Sequence, residues 1–199
     1  MAVTSLDELV ETVRRWSGGG IDAAFEEAVR DAVRFCEAEL DRRLRVPEMV
    51  KRVSFSTTGR WDDLPADFLA MKALFRVDAR GRERLLRAVT DAAAPGWREV
   101  LGDPIYYALS GLQISLVPRV DGVSYPLRMI YWSRVPSLSG HTPCTAVLQR
   151  YPDLYVFGSL VGLESYLVSD ERIAVWRQQF EAALASANQA GAMRVAALA

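Results

Sequence analysis

His141 and Cys144 stand in an H-x-x-C pattern, a spacing that lets an imidazole and a thiolate reach one metal ion. Two ligands fall short of the four that a structural zinc takes, and Cys36 is the only other thiol in the chain. The alternative is an exposed loop histidine, with Cys144 half-buried near a helix start. A Cys–His nucleophilic pair needs the same two side chains to fold back on one short loop, with only a helix N-terminus to lower the thiol pKa. Asp62, Asp63 and Asp67 surround Leu64-Pro65. Neighbouring carboxylates can serve as acid and base, so these three, with Glu164, make a cell-wall hydrolase one reading. Acids in a proline-containing turn more often accept backbone N–H bonds, and that is the reading preferred here. Gly18 to Gly20 lacks the Lys-Ser/Thr of a phosphate-binding loop and follows no strand, so it reads as a helix breaker.

The elements that must position these residues are set by composition and periodicity. The chain has 199 residues, 50% hydrophobic and 25% charged, enough to bury a core and incompatible with disorder as the main state. Its 24 basic and 25 acidic residues nearly cancel, so binding to nucleic acid or to an anionic membrane needs a local patch. One histidine excludes a His-pair metal site, and two cysteines are too few for a disulfide scaffold. The first ten residues carry acids where a signal peptide needs a basic start, so the protein is expected to stay in the cytoplasm where it is made. Leu154 to Val168 is interrupted by Glu164 and is shorter than the roughly 18 to 20 residues of a membrane span.

Hydrophobic period predicts an α+β fold in three zones. Leu6, Leu9, Val10, Val13 and Trp16 recur at helical spacing behind overlapping capping boxes at Thr4 and Ser5. Ile21 through Leu44 carry a second apolar stripe, with Asp41 outside it, ending before Pro47. From Pro47 to Pro136 the period falls towards two. Strands are expected at Val53 to Thr57, Met71 to Val77, Ile105 to Tyr107, Leu112 to Leu116 and Leu127 to Tyr131. The last two are expected to pair as a hairpin with its tip at Asp121-Gly122, and Ala92 to Gly102 to hold one short helix. Thr142-Pro143 and Pro152 are expected to open helices, and Ser169-Asp170-Glu171 to cap a last one carrying Ile173, Trp176, Phe180, Leu184 and Ala187. The N- and C-terminal helices are therefore expected to form one helical bundle with an inserted small antiparallel β domain. The boundaries expected are 1–46 and 141–187 for the bundle, 47–140 for the β-rich region and 188–199 for an extended tail.

Two basic segments qualify as phosphate-facing surfaces: Arg42, Arg43, Arg45, Lys51 and Arg52, and then Arg76, Arg80, Arg82, Arg84 and Arg87. Asp41, Glu48, Asp78 and Glu83 offset them, and a solvated surface is the competing account. Gly158-x-x-x-Gly162 permits close helix approach and reads as core packing. No cluster of these residues forms a catalytic constellation.

Certain segments, taken in order, resemble a known family. They are Leu64-Pro-Ala-Asp67-Phe-Leu69, the strand exit Tyr131-Trp-Ser-Arg-Val-Pro-Ser-Leu-Ser139, the helix start Tyr151-Pro-Asp-Leu-Tyr-Val-Phe-Gly-Ser-Leu160, and Asp170-Glu-Arg172 with Trp176. Over about residues 3 to 190 the chain is similar to the head-to-tail adaptor (connector) proteins of tailed bacteriophages. The resemblance implies a virion structural protein at the head-tail interface, without enzymatic activity, cofactor or membrane. It implies a ring, commonly twelve-fold, that binds the portal protein on one side and a downstream tail, nozzle or stopper protein on the other. DNA would pass through without sequence readout. On this view Asn188, Met193, Arg194, Val195 and Leu198 are candidate portal contacts, and Arg42, Arg43, Arg45 and Arg52 candidate DNA-channel residues. Another neck component, a stopper or tail-completion protein, is the nearest alternative.

Overall fold

The computed structural model describes every residue except 1–2, 20–21, 58–60, 91–100, 119–123, 165, 168–170 and 197–199. Five α-helices and seven strands occur among the described residues, so the fold is α+β. The chain divides into two compact units, one formed by Met1–Met49 with Val135–Ala199, the other by Val50–Arg134.

The first unit is helical. Helix α1 (Leu6–Ser17) begins where Ser5 Oγ accepts from Glu8 N at 3.3 Å, while Glu8 Oε2 accepts from Thr4 N at 2.7 Å. It ends at Gly18, whose φ of 70° gives the left-handed turn that releases the chain. Helix α2 (Ala23–Arg43) is capped by Asp22, which accepts from Phe25 N at 2.7 Å, and runs into a 3-10 turn at Pro47–Met49. Helix α3 (Ala146–Arg150) is capped by Thr145 Oγ1, which accepts from Leu148 N at 3.1 Å. The start expected at Thr142-Pro143 is thus displaced, because Thr142 closes a turn on Ser139 instead. Helix α4 (Pro152–Gly162) opens on its proline as expected and buries Leu154, Tyr155, Val156, Gly158, Ser159 and Leu160 against α1, α2 and α5.

Helix α5 spans Arg172–Ala196. The extended tail expected from Asn188 is therefore helical through Ala196. Its apolar period explains why: Ile173, Trp176, Phe180, Leu184 and Ala187 are followed at the same spacing by buried Gly191. A Cβ on Gly191 would lie 3.1 Å from Arg45 O and 3.3 Å from Val46 Cα, so the missing side chain lets α5 seat on the exit of α2. Gly158 and Gly162 do the same between α4 and α2. A Cβ at Gly162 would meet the Ala32 backbone at 3.1 Å.

The second unit is a seven-stranded sheet with β1 (Val50–Thr57), β2 (Asp62–Asp63), β3 (Phe68–Val77), β4 (Glu83–Val89), β5 (Tyr106–Ser110), β6 (Gln113–Val117) and β7 (Tyr125–Ser133) in the order β1-β7-β3-β4-β5-β6-β2. Its edge strands β1 and β2 are consecutive in sequence, and the Thr57 hydroxyl donates to the Asp62 carboxylate, so the sheet curls into a near-barrel. Leu64, Phe68, Leu74, Leu86, Ile114, Leu127, Met129 and Tyr131 fill the interior.

Three expectations need correction. The sheet is mixed, not antiparallel: β4 and β5 pair in parallel, Arg87 opposite Tyr106, which the long connection between Val89 and Tyr106 permits. The hairpin expected between Leu112 to Leu116 and Leu127 to Tyr131 does not form, because β1 and β3 occupy both edges of β7, and β5 and β2 those of β6. The stretch from Val135 to Gly140, expected in the β-rich region, belongs to the helical unit. The helix expected at Ala92 to Gly102, the tip at Asp121-Gly122 and the cap at Ser169-Asp170 lie wholly or largely outside the described residues.

Candidate functional site

The carboxylates that suggested hydrolysis are held as turn and strand anchors. Asp63 accepts from Gln113 Nε2 at 2.9 Å across the β2–β6 pair. Asp67 accepts from Tyr131 Oη at 3.0 Å and from Lys51 Nζ, while its own carbonyl accepts from Arg134 N at 2.7 Å. Burial pushes the Asp67 pKa up, but the hydrogen bonds from Lys51 and Tyr131 outweigh it and hold the carboxyl below its usual range. A general acid needs the opposite shift. Glu164 lies in the helical unit, accepting from Arg177 at 2.6 Å. His141 is exposed beside the Ser139–Thr142 turn, and Cys144 Sγ points to Thr145 O at 3.8 Å. Among the described residues no group of three His, Cys, Asp or Glu is arranged to hold a metal. Burial drives the Cys36 thiol pKa far up, which leaves it a packed side chain bonded to Leu154 O at 3.5 Å. No helix among the described residues is long and apolar enough to cross a membrane.

Residues of the family-like segments meet at Asp67. Phe68 stacks on Tyr131 with centroids 5.7 Å apart, and burial together with the bond to Asp67 pushes the Tyr131 pKa up to about 12. Beyond Arg134 the chain is taken up by α2: Val135 N donates to Asp41 Oδ1 at 2.8 Å and Leu138 N to Glu37 Oε1 at 2.7 Å. Asp41, expected outside the stripe, is thus a backbone anchor one turn beyond Glu37. Glu37 is only 5% exposed, and burial raises its pKa against the lowering effect of the Leu138 bond. The detectable signal was an acid at i and i+4 beside Cys36, Leu40 and Leu44, on the border of the apolar stripe.

Helix α5 closes the unit at both ends. Arg172 donates to Trp16 O at 3.1 Å and Ser17 O at 2.8 Å, satisfying carbonyls that the end of α1 leaves unpaired. Asn188 accepts from Arg45 N at 2.7 Å and donates to Arg43 O at 3.1 Å, doing the same for α2. Of the candidate portal residues, Asn188 is therefore an internal strut and Arg194 is bonded to Glu48 at 2.8 Å. Met193 is 61% exposed. The side chain of Val195 and all of Leu198 lie outside the described residues.

The candidate channel residues divide as well. Arg42 pairs with Glu39, and Arg43 pairs with Glu39 at 3.2 Å and with Glu181. The hydrogen bond that Arg43 donates to Glu181 is the foremost cause raising the Arg43 pKa further. Arg45 turns back on Asp41 O at 2.9 Å and Leu44 O at 2.6 Å. Arg52, on β1 of the other unit, is exposed.

The polar groups brought together here hold backbone segments in place, and the family comparison agrees with that character. The family model described as SU10 adaptor protein matches residues 4–198, and the chain belongs to that family. It is a bacteriophage adaptor used in virion assembly, as the segments around Asp67, Tyr131 and Tyr151 implied. No curated protein matches the sequence. Among solved structures, a chain of "Neck of empty GTA particle computed with C6 symmetry" is similar, at 17% identity over 86% of this chain and 85% of that one. The TM-score of that pair is 0.29.

Proposed function

We propose that this chain is a virion structural protein that forms a ring between the portal and the tail and extends the DNA channel. The single observation that carries the reading is the adaptor-family match over residues 4–198. The N- and C-terminal helices act as one bundle with the β region inserted in it. Helix α5, strapped to the ends of α1 and α2, makes that bundle a stiff lateral wedge. Side-to-side contact is heterologous, so the rotation must close, and twelve copies templated by the portal satisfy that requirement. The exposed Met193 side of α5 is the portal contact, and the β unit meets the next tail component. No cofactor takes part, and the engaged carboxylates support a role without catalysis.

The chain alone is expected to run as a monomer or weak oligomer in a solution mass measurement, and to become a ring in negative-stain images once portal is added. Failure to join any portal overturns the reading.

A further inference from the structure

Among the basic segments, the β3–β4 hairpin carries positive charge that its own carboxylates leave over. The turn is built by Asp78, whose Oδ1 accepts from Arg80 N at 2.8 Å and Arg82 N at 2.9 Å, with Gly81 at φ 77° completing the reversal. Five arginines gather around it with three carboxylates, each carboxylate already held: Asp78 by Arg82 at 2.7 Å, Asp103 by Arg76 at 2.9 Å, and Glu83 by Arg128. Arg80 and Arg84 remain, both exposed, with no hydrogen bond or ion pair to their guanidinium groups among the described residues. The sheet even sets Arg84 directly opposite Arg76 in register, an arrangement of like charges that costs stability. Asp103 answers only part of it: the bond from Arg76 first, then the nearby charges of Arg76 and Arg84, hold its pKa down.

A cleft of about 340 Å³ opens here, lined by Arg76, Asp78, Arg82, Glu83, Arg84 and Asp103. Its walls carry no apolar anchor. Arginine serves protein interfaces too, but there it surrounds an aromatic or aliphatic centre, which this cleft lacks, whereas a nucleic-acid backbone is met by exposed guanidinium groups without one.

We infer that the end of the β3–β4 hairpin, through Arg80 and Arg84, is the surface that meets the phosphate backbone of duplex DNA. This rests on the neck reading above and moves its DNA-facing charge from the end of α2, where Arg42, Arg43 and Arg45 are already engaged, to the β unit. Contacts of this kind position without reading sequence.

The test is binding of a short random-sequence DNA duplex to the full chain over a range of salt. The R80A/R84A double variant should make the slope of log K against log salt shallower by about 1.8, the loss of two phosphate contacts. R80K/R84K should restore the slope, since charge is what matters, and R42A should leave it unchanged. An unaltered slope in R80A/R84A, or a lowered one in R42A, overturns the assignment. So does tighter binding of polyglutamate than of the duplex, which would make the partner an acidic protein. Portal capture is measured in parallel: its absence in the wild-type chain overturns the neck reading alone, and an unchanged salt slope overturns this assignment alone.

Discussion

The arginines at the end of α2 and those of the β3–β4 hairpin are alike in sequence and opposite in use. Arg43 and Arg45 sit at the end of α2, where Glu39 one turn back, Glu181 of α5 and unpaired carbonyls take up their donors. Arg80 and Arg84 sit on a two-stranded projection whose few acids are consumed by the turn and by neighbouring arginines. A basic run on a helix supplies its own counter-charges at i±3 and i±4, as Arg42 finds Glu39. On a hairpin the neighbours come from other strands, and the match depends on register. In this protein the arginines at the end of α2 bind structure together, whereas on the hairpin Arg76 and Arg82 are paired and Arg80 and Arg84 are left over.

The strongest way to break that comparison is to remove residues 188–199. The deletion strips both Asn188 bonds from the end of α2, the Gly191 seat and the Arg194–Glu48 pair, and is expected to lower unfolding free energy by about 3 kcal/mol or more. A urea midpoint equal to the full chain would mean the segment is a dispensable tail after all. Next, G158V puts a side chain against Cys36 Sγ and within 3.0 Å of Phe180, and should cost about 1–3 kcal/mol by the same titration. N188A alone should cost about 1–2 kcal/mol, since it leaves Arg45 N and Arg43 O unpaired.

The pH dependence sharpens the contrast between the units, because two of their carboxylates act with opposite sign. Glu37 has a raised folded pKa, so its contribution is present at low pH and is lost as pH rises through that value; E37Q should flatten this part of the profile. Asp67 has a lowered folded pKa, so its contribution is present at neutral pH and lost as pH falls; D67N should remove the acid-side decline instead. Stability curves with the two signs exchanged would reject both assignments. The smallest effect belongs to R43A: its pair with Glu181 is about half exposed, and the change should stay below about 1 kcal/mol.

Much of the fold was legible locally. The caps at Ser5 and Pro152, the stripe of α2 and the alternation of β7 are properties of a few adjacent residues, and they stand where periodicity put them. Strand β4 was not legible. Glu83-Arg-Leu-Leu-Arg-Ala-Val89 reads as charged surface because only Leu86 is buried, and its strand character comes from pairing with β3 and β5. Asp67 and Tyr131 stood out as parts of similar segments, but 64 positions separate them and only the sheet brings them to 3.0 Å.

What the sequence determined by itself is what depends on neighbours within a turn or a strand: the α+β class, the helix starts, the shortage of histidine and thiol chemistry, and the adaptor resemblance. Tertiary structure decided which strands share an edge, why β4 and β5 run parallel, and that α5 continues to Ala196. It also decided which arginines have their donors taken up by a neighbouring carboxylate or carbonyl and which do not. The physical reason is the same in each case: a hydrogen bond or an ion pair is made with whatever lies a few ångströms away, and in the sheet and at the helix ends that partner is distant in sequence.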